Sequence, residues 1–298
     1  MSKDIIRAMR LPFITASVLP FIFGSLIAKP TFNFLTFLLG LIAAASCHLS
    51  ANVINDYADS KSGADWQDKS FYGFFGGSKL IQEGVLSEKF YFNLASFFAL
   101  LSGVCVILLA VILKNISIIG FFLLIIALSW TYSQKPLQFA YRRIGEFFIF
   151  ILFGPAVVMG GYFIQTKIFP HWQSLFLSLP FAFFTTNILF ANEVPDFPQD
   201  KAAGKFTWVS ITGPKNAYIL YALLAFSGFF AIALAMAFKY LSPFAAASFL
   251  LIPPSVKAIK ILKRDHADKI KLVESSKLTI LTHNLASVIL IIAILLRK

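Results

Sequence analysis

The chain has 298 residues, of which 58% are hydrophobic and only 13% charged, and its mean hydropathy is +0.78. Soluble domains carry about 25% charged residues, so this balance excludes a soluble enzyme or a nucleic-acid-binding domain despite the net charge of +12. No stretch rich in Gly, Ser or charge divides the sequence, and residues 1–298 read as one integral membrane domain.

Lys3, Arg7 and Arg10 precede the first apolar run, which superficially resembles the start of a signal peptide. No small-x-small cleavage site followed by a soluble domain appears and further spans follow, so this run reads as a retained first helix. Apolar runs long enough to cross the hydrocarbon fall at about 11–28, 33–54, 90–113, 116–133, 147–166, 173–192, 216–238, 240–256 and 278–296. The expected fold is an all-α bundle of nine transmembrane helices. The eighth segment is the shortest and carries Pro243, Pro253 and Pro254, which membrane helices tolerate when neighbours satisfy the freed carbonyls.

Charge supports that count. If all nine segments span, then 1–10, 55–89, 134–146, 193–215 and 257–277 share one side, and they hold 20 of the 26 Lys and Arg residues and all 14 carboxylates. The positive-inside rule makes that side cytoplasmic, with the N-terminus inside and the C-terminus outside. Its connections at 55–89, 193–215 and 257–277 are long, and loops beyond about 12–15 residues are commonly functional. Cys47 and Cys105 lie inside apolar runs without metal-ligand spacing and read as small buried hydrophobes. His48, His171, His266 and His283 are scattered; only His48, two helical turns before Asn55, could share a face with a candidate site.

Two acidic clusters stand at the cytoplasmic ends of apolar runs. The first is Asn55, Asp56 and Asp59 with Asp65; the second is Asn192, Glu193 and Asp196 with Asp200. Both have the pattern Asn-[Asp/Glu]-x-x-Asp, then a further Asp and a Gly (Gly63, Gly204). Carboxylates so close to a bilayer cost about 2.5–3.5 kcal/mol at mid-membrane and call for a functional reason. Asn55, Asp56 and Asp59 lie close to one helical face. Asn192, Asp196 and Asp200 are spaced i, i+4, i+8, but Pro195 and Pro198 are expected to disturb a continuous helix there. One such cluster alone would read as capping or solvated loop charge. Two on one side point to a shared cavity for Mg²⁺, which is held by a few carboxylates plus waters and phosphate oxygens. Lys79, Lys135, Arg142 and Lys205 could neutralise diphosphate, or each could equally be a topology signal. Most of the 35 phenylalanines face lipid or pack, and none is assigned a role.

These residues carry a resemblance. NDYADSKSGAD (55–65) and NEVPDFPQDKAAGKFT (192–207) resemble the two aspartate-rich motifs of the UbiA-type intramembrane prenyltransferases. FFGGSKLIQEGVLS (74–87) and LQFAYRRIGE (137–146) are similar to the same family, particularly its branch that prenylates 1,4-dihydroxy-2-naphthoate in menaquinone synthesis. The resemblance runs from Arg10-Leu11-Pro12 to the region of Asn284. It implies a nine-helix bundle around a lipid-open cavity capped by the motif loops. It implies catalytic and metal-binding roles for Asp56, Asp59, Asp196 and Asp200, and diphosphate-motif positions for Asn55 and Asn192, with Asp65 as the last acid of the first motif. Many members have a Tyr-x-x-x-Lys element; here Tyr132 and Lys135 are one residue closer. The implied reaction is Mg²⁺-assisted ionisation of an allylic prenyl diphosphate and attack by an electron-rich ring. Homogentisate, 4-hydroxybenzoate or a glycerol-phosphate lipid are alternative acceptors, and a transporter or lipid-binding membrane protein is the alternative of another class. Chain length, the general base and the oligomeric state stay open.

Overall fold

The computed structural model describes residues 2–297. Among them every regular element is helical, apart from one isolated bridge pairing Arg142 with Phe206. A short helix α1 (Ser2–Ala8) leads into α2 (Leu11–Ile27), α3 (Phe34–Ser62), α4 (Glu88–Leu113), α5 (Ser117–Thr131), α6 (Gly145–Thr166), α7 (Trp172–Ala202), α8 (Ala217–Ala237), α9 (Pro243–Asp265) and α10 (Lys269–Leu295). Seven of these are long and apolar enough to cross a membrane alone; α2 and α5 are the shorter apolar helices of the set. The chain is an integral multi-pass membrane protein, and all nine expected spans are helical.

Local chemistry sets the helix ends. Asn33 accepts from the Thr36 N–H at 3.1 Å to start α3, Ser87 accepts from Phe90 N–H at 3.1 Å to start α4, and Asp268 accepts from Lys271 N–H at 3.2 Å to start α10. Helix α3 stops at Gly63, whose φ of +88° costs an L-residue energy but not glycine. Pro155 lies within α6 at a π-helical turn, Leu152–Ala156, where the widened turn absorbs the missing N–H. Helices α2 and α6 meet at glycines: a Cβ on Gly24 would lie 2.1 Å from the Val158 carbonyl oxygen, so no larger residue fits.

Three expectations about length need correction. The connections at 55–89 and 193–215 begin as helix: α3 continues to Ser62, which keeps Asn55, Asp56 and Asp59 on it as their spacing suggested and leaves Asp65 in the loop beyond, and α7 continues to Ala202. At 29 and 31 residues these helices are about 43 and 46 Å long, well beyond a hydrocarbon core of about 30 Å, so their last turns protrude from it. Pro195 and Pro198 do not break α7. Proline φ is itself helical, and α7 is held by neighbours on most of its surface, so packing outweighs the lost N–H donors. Lastly, 257–277 is mostly helix. Helix α9 buries Ala258, Ile261 and Leu262 while exposing Lys257, Lys260, Lys263 and Arg264, so its end is amphipathic and not apolar.

Packing divides around a central space. Phe23, Val158, Phe181, Phe229 and Leu290 join α2, α6, α7, α8 and α10 on one side. Phe21, Ala43, Val106, Leu109, Ile118 and Phe163 join α2 through α6 on the other.

Candidate active site

The protruding ends of α3 and α7 bring the two acidic clusters together, and the 63–87 loop ties them. In that loop Gly76 and Gly77 both have φ of +74° and Lys79 has φ of +63°. The curl this produces aims two alternate N–H groups at carboxylates: Gly76 N–H donates to Asp196 Oδ2 at 2.9 Å, and Ser78 N–H donates to Asp56 Oδ2 at 3.0 Å. One four-residue stretch thus touches both clusters. The φ of Gly77 favours glycine, and a Cβ there would meet Asp65 Oδ2 at 2.7 Å, so a larger residue would also have to push that carboxylate aside.

Cations complete the arrangement. Lys79 Nζ, 3% exposed, donates to Asp65 Oδ1 at 2.9 Å and to the Asp65 carbonyl oxygen at 3.1 Å. Lys205 Nζ lies 3.3 Å from Asp59 Oδ2 and 3.5 Å from Asp200 Oδ1, bridging the clusters directly. Arg10 Nη1 stands 3.4 Å from Asp56 Oδ1. Tyr141 donates its hydroxyl to Asp59 Oδ1 at 2.8 Å and sits 2.6 Å from Ser62 Oγ. The loops carrying Tyr141 and Lys205 are joined by backbone bonds, Arg143 N–H to Phe206 O at 2.7 Å and Phe206 N–H to Tyr141 O at 3.3 Å, and the Glu146 carboxylate accepts from Trp208 N–H.

These contacts shift the site's acids and bases. Burial and the neighbouring Asp59 carboxylate push Asp65 above the usual carboxylate range, against the pull of Lys79. Burial opposes the charge on Lys205, but Asp200 and Asp59 outweigh it and hold the ammonium well above its ordinary pKa. Burial and the Asp59 charge raise the Tyr141 phenol, so it stays a hydrogen-bond donor.

A polar cavity of about 110 Å³ lies between the clusters. Of the residues singled out in the sequence, Asn55, Asp59, Asp65 and Lys79 line it from the first side, and Asn192, Asp196, Asp200 and Lys205 from the second. Asn55 also donates to Ser133 Oγ at 2.8 Å, and Asn192 Oδ1 accepts from Ser276 Oγ at 2.8 Å. Asp56 does not line the cavity; it is 3% exposed and spends its oxygens on Ser78 and Arg10. Lys135 and Arg142 are exposed outside it, and the Arg142 guanidinium donates to Pro136 O at 3.0 Å. Among the described residues no three carboxylates converge on a single point; Asp59, Asp65 and Asp200 are each held by an ammonium group and Asp196 by an N–H. The donor set is nevertheless oxygen-only and crowded into one cavity, which is the chemistry that suits Mg²⁺ and not a softer metal.

A second, apolar chamber of about 550 Å³ opens beside it, among α2, α3, α4, α5, α6 and α7. The two spaces share Arg10, Asn55, Tyr132, Leu189 and Asn192 as walls. The sequence reading missed Arg10, Ser78, Tyr141 and Ser276. Arg10, Ser78 and Tyr141 lay within stretches that carry the family resemblance but were given no site role; Ser276 gave no signal.

The UbiA prenyltransferase family model matches residues 17–281. A Bacillus subtilis 1,4-dihydroxy-2-naphthoate octaprenyltransferase is 28% identical over 256 residues, covering 83% of this chain and 78% of that protein. A UbiA prenyltransferase domain-containing protein 1 from Dictyostelium discoideum is 29% identical over 228 residues, 73% of this chain and 66% of that protein, so the chain spans just under two thirds of that relative's length. Among solved structures, the apo UbiA homolog from Aeropyrum pernix superposes with a TM-score of 0.72 at 16% identity, covering 93% of this chain and 97% of that one. A UbiA homolog from Archaeoglobus fulgidus, bound to DMAPP and Mg²⁺, gives 0.65 at 16% identity, over 95% and 98%. The chain belongs to the UbiA prenyltransferase family, and these structures share its fold.

Proposed function

We propose that this UbiA-family chain is a single transmembrane domain that transfers a polyprenyl group from an allylic diphosphate to an aromatic ring, with 1,4-dihydroxy-2-naphthoate as acceptor. The observation that carries this reading is the pair of adjoining spaces. A small cavity walled by carboxylates and ammonium groups adjoins a larger apolar chamber, with Arg10, Asn55, Tyr132, Leu189 and Asn192 as shared walls. An amphiphile with a diphosphate head and a hydrocarbon tail fits that division.

Asp59, Asp196 and Asp200, with Asp65, would hold Mg²⁺, the cofactor named with the Archaeoglobus structures. When bound, the metal neutralises diphosphate oxygens and so favours departure of the leaving group. The chain's own residues do the rest. Lys79 and Lys205 place fixed positive charge where negative charge grows on the leaving diphosphate. Asn55 and Asn192 stand at the boundary of the two spaces and orient the head group by hydrogen bonds. The Gly76–Lys79 curl holds the cluster geometry, and Asp56 anchors that curl. Apolar walls keep water from the allylic cation. The acceptor assignment draws on the naphthoate prenyltransferases among the relatives, from Bacillus subtilis and Mycobacterium tuberculosis. The excess of Lys and Arg on the motif side supports a cytoplasmic active face.

The test is direct. Purified protein is incubated with Mg²⁺, allylic diphosphates of several lengths and a panel of ring acceptors, and products are read by mass spectrometry. Prenylated, decarboxylated dihydroxynaphthoate is the expected product. Transfer only to 4-hydroxybenzoate, homogentisate or a glycerol-phosphate lipid would move the acceptor assignment elsewhere.

A further inference from the structure

We propose that His48, positioned by Ser17, is the group that takes the hydroxyl proton of the ring acceptor, and that His48, Asn52 and Asn55 form the acceptor subsite. This rests on the transferase reading above. Residues 48, 52, 55 and 59 recur at helical spacing, so His48, Asn52, Asn55 and Asp59 run along one face of α3. His48, Asn52 and Asn55 line the apolar chamber, while Asn55 and Asp59 line the polar cavity. At 1.5 Å of rise per residue, His48 lies about 16 Å from Asp59 along the helix and Asn55 about 6 Å. A bicyclic ring set between Asn55 and His48 has one edge beside the allylic carbon of a diphosphate held at Asp59. Its other edge lies against the imidazole.

The imidazole is buried but built, not incidental. Its ring packs edge-on against Phe153 at 4.9 Å between centroids, and Nδ1 lies 2.8 Å from Ser17 Oγ. The Ser17 hydroxyl donates its one hydrogen to the Ile14 carbonyl oxygen at 3.1 Å. With the Ser17 hydrogen on Ile14 O, the hydrogen shared with His48 comes from Nδ1; we assign this tautomer, which leaves Nε2 as a lone-pair acceptor. One turn along, the buried Asn52 Nδ2 has no hydrogen-bond partner, a donor suited to a second ring oxygen. An orphan donor and an acceptor nitrogen on one face of a mainly apolar chamber match a ring that carries two oxygens.

The chemistry balances without another reagent. The allylic C–O bond breaks with its electron pair going to the diphosphate oxygen, and the carboxyl-bearing ring carbon forms the new C–C bond. As it does so, the adjacent hydroxyl gives its proton to Nε2 and becomes a ketone. Loss of CO₂ from the same carbon returns the electron pair to the ring, and His48 returns the proton to that oxygen.

The experiment uses the full chain in lipid nanodiscs, with wild type and His48→Gln compared. Transfer is measured with dihydroxynaphthoate and with a ring-fluorinated analogue whose hydroxyl is more acidic; Mg²⁺-dependent binding of the prenyl diphosphate is measured separately. The expected result is a fall in kcat of about 100-fold on dihydroxynaphthoate, a clearly smaller fall on the fluorinated ring, and unchanged diphosphate binding. Wild-type kcat in the variant, or equal losses on the two acceptors, would overturn the assignment while leaving the diphosphate site intact. Absence of diphosphate binding in wild type itself would instead remove the transferase reading, and this one with it. Should His48→Gln fail to insert, Ser17→Ala decides: it keeps the imidazole but frees its tautomer, so a partial loss with the same fluorine dependence is expected, and wild-type kinetics on both acceptors would overturn the proposal.

Discussion

Asp56 and Asp59 stand three residues apart on one helix end, and the structure gives them different work. Asp59 faces the polar cavity and meets Lys205 and Tyr141, whereas Asp56 holds the Ser78 N–H and Arg10 behind it. Replacing Asp59, Asp196 or Asp200 with Ala is therefore expected to abolish transfer while leaving inserted protein, because each carboxylate lost is a cavity wall. Asp56→Ala should lower thermal stability as well as activity, since it leaves a buried N–H and a guanidinium short of a partner at about 1–3 kcal/mol. Parallel melting and turnover measurements separate the two patterns. Gly77→Ala is a sharper probe of the curl. A φ of +74° costs an L-residue about 1–2 kcal/mol, and the new methyl would press on Asp65 Oδ2. Loss of diphosphate binding with most of the fold retained is the expected outcome, and unchanged binding would show that the curl does not shape the site.

Helix continuity decides which of these residues can meet. The i, i+4, i+8 spacing of Asn192, Asp196 and Asp200 becomes a shared face only because α7 runs unbroken past Pro195 and Pro198. The local signal of two prolines argued for a break, and the packing of neighbouring helices overrode it. In the same way the apolar runs at 33–54 and 173–192 were legible, but not the polar turns that follow, because hydropathy reports where lipid ends and not where hydrogen bonding ends. The end of α9 escaped for that reason too: its lysines face outward while Ala258 and Ile261 pack inward. The path of the 63–87 loop, which is irregular and tertiary, had no period to read; only the Gly76-Gly77 pair marked it. One topology experiment belongs at this scale. In a background lacking Cys47 and Cys105, cysteines placed at exposed Lys61 and Lys201 should be labelled from one side of sealed vesicles, and those at Lys114 and Lys167 from the other. Labelling of positions 61 and 201 from opposite sides would contradict the nine-span arrangement.

For the whole molecule, two spaces within one bundle matter more than any single residue. The paired motifs in the sequence led to the expectation of a shared cavity, and eight of the eleven residues proposed for the site line one polar cavity. The apolar chamber was not legible, because its walls come from six helices and are made mostly of residues that look like any lipid-facing side chain. An oxygen-only donor set predicts that transfer needs Mg²⁺ or Mn²⁺ and stops with excess chelator. Full turnover in EDTA would contradict it. The central claim is that the ends of α3 and α7 act on one diphosphate. Asp59 and Asp196 have different hydrogen-bond partners, Lys205 with Tyr141 for the former and the Gly76 N–H for the latter, so neither carboxylate directly holds the other in place. The most direct measurement is a double-mutant cycle on transfer rate with Asp59→Ala, Asp196→Ala and the pair. One shared site predicts that the double variant loses little more than the worse single variant, because residues acting as a unit are non-additive. Losses that simply sum, or single variants with near-wild-type turnover at normal expression, would contradict the account.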